Sequence, residues 1–66
     1  MNTRELLNDL PENIRNRIEK FRHDMKTDHL HRELYICKSS GYIDALYDTG
    51  LITDQERKIL KVYRTI

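Results

Sequence analysis

Only Pro11, Gly41 and Gly50 are strong interrupters of regular structure in this chain. No stretch alternates apolar and polar residues with the period of two that a half-buried strand requires. What remains is helix joined by short turns, so the fold class is all-α. Read with the capping residues around them, the interrupters divide the chain into a short N-terminal turn and about three helices. These run roughly over 10–26, 28–49 and 53–65, in one small domain covering 1–66.

The opening turn is expected to be capped by Thr3 and to carry Leu6 and Leu7. Asp9-Leu10-Pro11-Glu12 then reads as a helix start, with Asp9 accepting from the Glu12 amide and proline tolerated in the first turn. Along the helix that follows, Leu10, Ile14, Ile18, Phe21 and Met25 are spaced 4, 4, 3 and 4, which sets them on one narrow stripe. The step of five from Met25 to Leu30 breaks that phase, and Thr27 or Asp28 can cap a new start. A break there is the preferred reading, with one continuous helix from Leu10 to Asp48 as the alternative.

The second long helix is apolar over more than half its circumference, through Leu30, Leu34, Ile36, Cys37, Tyr42, Ile43, Ala45, Leu46 and Tyr47. It should therefore lie centrally and touch neighbours on two sides. Ser39-Ser40-Gly41 within it either kinks the helix or admits another helix at close range. Its end is expected at Thr49, with Gly50 in the left-handed conformation and Leu51 packing back on Leu46. Thr53 and Glu56 form a capping box for the last helix, whose basic residues suit its C-terminal end.

A domain of about this size buries only about 60% of the surface its unfolded chain exposes. Cys37 is the only cysteine, so no disulfide within the chain can compensate, and a lone cysteine suits a reducing cytoplasm. Oligomerisation is the expected remedy, as a dimer or higher, with Leu10, Ile14, Ile18, Phe21 and Met25 as the self-association seam. Twelve basic and 11 acidic residues nearly cancel, but unevenly: 11–26 and 51–66 are each +2, and 27–50 is −2. Such blocks are read first as packing partners. With 38% hydrophobic and 35% charged residues the chain is neither disordered nor a membrane span. Met1-Asn2-Thr3-Arg4-Glu5 shows no signal-peptide pattern, so a cytoplasmic location is expected.

Candidate chemistry is sparse. His23, Asp24, Asp28, His29, His31, Glu33 and Cys37 include the side chains zinc favours, but His29 and His31 point to different helix faces and Cys37 has no thiolate companion. The same histidines could make assembly sensitive to pH. Cys37 itself reads as a small buried hydrophobe. Asp44 and Asp48, one turn apart, read as a solvated acidic edge. No cofactor, metal or catalytic residue is expected, and the protein is not expected to be an enzyme.

Two kinds of binding surface remain. Tyr35, Tyr42 and Tyr47 are partner-interface candidates, since tyrosine suits a surface that is apolar at one end and wet at the other. Arg15, Arg22, Arg57, Lys58, Lys61 and Arg64 are nucleic-acid candidates if an oligomer aligns them, with 42–65 resembling a helix-turn-helix unit. Against that second reading, Asp54 and Glu56 occupy the first turn of the would-be recognition helix and would repel phosphates.

The stretch Gly41-Tyr-Ile-Asp-Ala-Leu-Tyr-Asp-Thr-Gly-Leu-Ile-Thr-Asp-Gln-Glu56 resembles segments of small helical accessory proteins from the early region of lambdoid temperate phages and prophages. The likeness covers about a quarter of the chain, and Asn2-Thr3-Arg4-Glu5-Leu6-Leu7 has a similar character. It implies a dispensable, early-expressed protein in the bacterial cytoplasm that influences phage development or host physiology. It transfers no active-site residue. The leading expectation is thus a non-enzymatic, oligomeric regulator or adaptor that binds a host or phage protein, with nucleic-acid binding as the alternative.

Overall fold

In the computed structural model, which describes residues 2–63, every regular element among those residues is helical. The first is a true helix, α1 (Thr3–Asp9), and not just a turn. Its cap is Asn2 and not Thr3: the Asn2 side chain accepts from the Glu5 amide at 2.9 Å, and the Glu5 carboxylate accepts from the Asn2 amide at 3.4 Å. The register follows from the box itself, because counting from Thr3 would put Leu6 where a carboxylate is needed.

Since α1 uses Asp9 as a helical residue, Asp9 cannot cap the next helix. Instead α2 (Glu12–Thr27) starts directly after Pro11, which makes no side-chain cap. Proline is suited to that place because its φ of −53° is already near helical and it has no amide to leave unpaired.

The chain breaks at Asp28, as the phase step from Met25 to Leu30 foretold. A single 3₁₀ turn, His29–His31, leads into α3 (Arg32–Asp48), so the continuous-helix alternative is excluded. Neither Thr27 nor Asp28 acts as the expected side-chain cap. Thr27 donates back to the His23 carbonyl at 2.9 Å. The Asp28 carboxylate instead accepts from the Tyr35 hydroxyl and meets His31 Nδ1, each at 3.0 Å, tying the turn to the first helical turns of α3.

The Ser39-Ser40-Gly41 run does not break α3, and no other helix of this chain approaches Gly41. Nothing lies within 4 Å of where a Gly41 Cβ would stand. Ser39 is buried, and its Oγ accepts from the Tyr63 hydroxyl at 3.4 Å.

The end of α3 is a Schellman turn. The Leu51 amide donates to the Leu46 carbonyl and the Gly50 amide to the Tyr47 carbonyl, both at 3.0 Å, with Gly50 at φ +81°. The apolar anchor differs from expectation: Leu51 is half exposed, while Ile52 enters the core. Thr53 and Glu56 close the anticipated capping box, at 3.1 and 2.8 Å, and start α4 (Asp54–Leu60).

That last helix ends at Leu60, short of the range 53–65. Tyr63 is held by its tertiary contacts, its hydroxyl on Ser39 and its carbonyl accepting from Arg32 Nη2 at 2.6 Å. Residues 64–66 lie outside the described part of the chain.

The core draws on every helix. Leu6 and Leu7 of α1, Leu10, Ile14 and Ile18 of α2's approach and first half, Ile43 and Leu46 of α3, Ile52, and Leu60 of α4 form one buried cluster. Here α2 packs along α3, α3 meets α4, and α1 lies against α4. Met25 is buried separately towards the other end of α2.

A radius of gyration of 11.2 Å matches the roughly 11 Å of a folded compact chain this long. One copy therefore closes its own core. Leu10, Ile14, Ile18 and Met25 are buried within it, which corrects the expectation that this stripe faces a second copy. The stripe is narrow because it fits a neighbouring helix, and α3 supplies that helix.

Truncating Leu46 to alanine should lower stability by about 2–5 kcal/mol in urea unfolding, since it removes a buried side chain where three elements meet. Gly50→Ala should cost about 1–2 kcal/mol, the penalty of an L residue in the left-handed region, although there is room for its Cβ.

Candidate functional site: an aromatic and cationic groove

Turning back at Asp28 makes α2 and α3 antiparallel neighbours. Residues one helical turn apart on each then come to face one another across the seam. On α2 these are Arg17, Lys20, Phe21 and Asp24; on α3 they are Tyr35, Lys38 and Tyr42. Together they line an open groove of about 470 Å³.

Phe21 and Tyr42 form its floor, with ring centroids 6.1 Å apart and planes inclined at 54°. The Arg17 guanidinium sits over both, 5.4 Å from the Phe21 centroid and 5.8 Å from that of Tyr42. Both distances are within the range of a cation–π contact. Lys20 is 3.7 Å from Asp24, so that pair largely cancels and Arg17 and Lys38 dominate the groove's charge. At the far end Tyr35 is turned by its bond to Asp28, and that same bond raises the pKa of its hydroxyl.

Of the three tyrosines expected to share a partner surface, Tyr35 and Tyr42 do so, being seven residues apart on α3. Tyr47 does not. Five residues beyond Tyr42 is a rotation of about 140°, which carries it to the side of α3 facing α4. There the Arg57 guanidinium covers its ring at 4.6 Å. Phe21, expected in the self-association seam, is half-buried in the groove instead.

The basic residues of α4 are engaged within the chain. Asp44 of α3 lies 2.5 Å from Lys61 Nζ and 3.6 Å from Arg57 Nη1. Asp54 pairs with Arg57 and, at 3.3 Å, with Lys58. The acidic 27–50 block and the basic 51–66 block thus meet in part inside one fold: Asp44 anchors α4 from a side chain that is still 44% exposed, and Asp48 is exposed, as expected of an acidic edge. Its carboxyl is held below the usual range, first by the hydrogen bond from Lys61. Asp54 is lowered likewise by Arg57.

These pairs leave Arg57, Lys58 and Lys61 poorly placed as a phosphate-binding face. Arg22 is half-buried, its Nη1 has no hydrogen-bond partner among the described residues, and burial lowers its pKa. Arg15 is half-buried on α2, and Arg64 lies outside the described residues. The nucleic-acid candidates therefore do not converge.

Among the described residues no three histidine, cysteine or acidic side chains come together as metal ligands. His23, His29 and His31 are all exposed, and among the described residues only His31 meets a carboxylate, that of Asp28. Cys37 is exposed and not buried as expected. No helix among the described residues is long and apolar enough to cross a membrane.

Compared with family models, with curated proteins and with solved structures, the chain matches none, so its own residues carry the functional argument. Sequence reasoning missed Arg17, Lys20 and Lys38. The signals were present as Arg17 four before Phe21 and Lys38 between Tyr35 and Tyr42, each a same-face spacing on its own helix. Only the register between the helices joins them.

Asp44 also fixes the direction of a pH effect. A carboxyl lowered in the folded state stabilises above its unfolded pKa, about 3.9, and loses that contribution as pH falls through the lower folded value. Thermal unfolding of the wild type should thus lose stability on acidification below about pH 4. Asp44→Asn should be less stable at neutral pH and should lose less on acidification; an unchanged acid slope would remove Asp44 from this role.

Proposed function

We propose that this protein is a non-catalytic regulator or adaptor that works by binding another protein, assembles as a homo-oligomer, and takes its partner in the groove between α2 and α3. The observation that carries this reading is the placing of Arg17 over Phe21 and Tyr42 at an open, half-buried seam. Aromatic rings and arginine are the residue types that dominate binding energy at protein interfaces, the rings because they bury much surface with few rotamers to order and arginine because its planar fork binds carboxylates in fixed geometry. The charge balance points to the partner's chemistry: a short acidic segment with an apolar or aromatic side chain. That side chain would lie against Phe21 and Tyr42 while carboxylates meet Arg17 and Lys38.

Cytoplasmic phage or prophage biology, suggested by the resemblance of residues 41–56, is the setting we propose for such a regulator. Single-stranded nucleic acid is the second reading, since it too uses aromatic platforms with cations. It is less favoured because Lys20 is offset by Asp24 and the α4 cations are paired.

Fluorescence anisotropy with two labelled probes separates these readings. An alternating glutamate–leucine peptide should bind the wild type and lose at least about tenfold in affinity with Arg17→Glu or Tyr42→Ala, as expected for an anchor residue. Oligothymidine binding tighter than the peptide, and weakening steeply with salt, would favour the nucleic-acid reading. Peptide binding that is indifferent to both substitutions would overturn the groove.

A further inference from the structure

The side of α3 turned away from the core carries an apolar stripe that no other element covers. Leu30 is 88% exposed and Leu34 50% exposed, and Cys37, Gly41 and Ala45 continue the same face, all exposed. From Leu34 onward the spacing of 3, 4 and 4 keeps these residues on one line along α3, and Leu30 stands in the 3₁₀ turn just before it. Leucine almost fully in water at the head of a helix, with a second leucine one turn on, is surface left for a contact.

From this face we infer that the protein dimerises through α3, two copies lying parallel about a two-fold axis that runs along the Leu30–Ala45 stripe. The inference deepens the assembly part of the function proposed above, and it shares one residue with the groove, Lys38. The second copy is identified by charge. Glu33 and Lys38 are both exposed and flank the stripe on opposite sides, five residues apart. In a parallel pair of helices that is the offset at which a residue on one flank meets the opposite flank of its neighbour, so Glu33 of each copy faces Lys38 of the other. Two-fold symmetry makes the pairing occur twice. An antiparallel pair centred on the same stripe would instead set Lys38 near Lys38, bringing like charges together.

Side-chain size agrees with a close crossing. The space beside Gly41 is open to 4 Å, so a second helix can approach its backbone there, while Leu30 and Leu34 fill the wider end. The stripe spans about 23 Å of helix, a short seam, so the dimer belongs with weak, reversible associations. Lys38 stands at the boundary between this seam and the groove, whereas Arg17, Phe21 and Tyr42 lie outside the seam, so each copy keeps the aromatic floor of its groove accessible.

Sedimentation equilibrium in reducing buffer, from micromolar to millimolar protein, tests the inference. The wild-type mass should rise with concentration from 8.0 kDa towards twice that value. Leu34→Asp, which alters an exposed side chain and should keep the helical circular dichroism, should remain at 8.0 kDa throughout. Glu33→Lys should weaken association by about tenfold, as two exposed attractive pairs become repulsive. Adding Lys38→Glu to it should restore the association.

A wild type that stays monomeric at millimolar concentration, or a Leu34→Asp variant that still dimerises, would overturn the interface. Failure of the double reversal to restore association would overturn the parallel arrangement. Loss of peptide binding in the groove with dimerisation intact would count against the groove alone.

Discussion

The packing of Ile14 and Ile18 of α2 against the Ile43 and Leu46 side of α3 is the contact on which the other features depend. A chain of 66 residues has little apolar surface to spare, and this contact joins the first half of α2 to the last third of α3, the two longest helices. It sets their register, and so brings Arg17 and Phe21 beside Tyr42 and turns Leu34 and Cys37 outward. Around it the shorter elements close one end together, with Leu6 and Leu7 of α1 beside Leu60 of α4, which α1 lies against, and Ile52 in the same cluster.

Helix α3 consequently presents three different sides. One side is buried through Ser39, Ile43 and Leu46, another forms half of the groove through Tyr35, Lys38 and Tyr42, and the outermost is the Leu30–Ala45 stripe. The distribution of charge separates structural from available cations. Arg57 and Lys61 hold α4 to α3 through Asp44, whereas Arg17 and Lys38 line the groove, Arg17 over its aromatic rings. The same residue types thus have unlike roles, decided by whether a carboxylate lies within reach.

Local chemistry was legible where the determining groups are close in sequence. The Gly50 turn and the Thr53–Glu56 box needed only residues within one turn of each other, and both form. The break near Asp28 was visible in the phase of the apolar pattern. Legibility failed where a long-range contact overrides a local preference. Tyr63 leaves the helical path to reach Ser39 and Arg32, which shortens α4, and no spacing within 53–65 reveals that. At Asn2 the misreading was local: Thr3 offered a cap, but only Asn2 stands three residues from a carboxylate.

By itself, then, the sequence determined helix content, the position of its turns and the existence of an apolar stripe on α2, because capping and periodicity are properties of neighbouring residues. Tertiary structure alone decided what that stripe covers. The same spacing that suits a seam between two copies suits packing on α3, and the outcome depends on whether the 28–31 turn lets the chain fold back on itself. Once it does, burial of α2's stripe within one copy shifts the exposed apolar surface to Leu30 and Leu34, and the antiparallel register assembles a groove from residues that are unremarkable on either helix alone. Those two surfaces depend on distances between side chains far apart in sequence, which only the packed core sets.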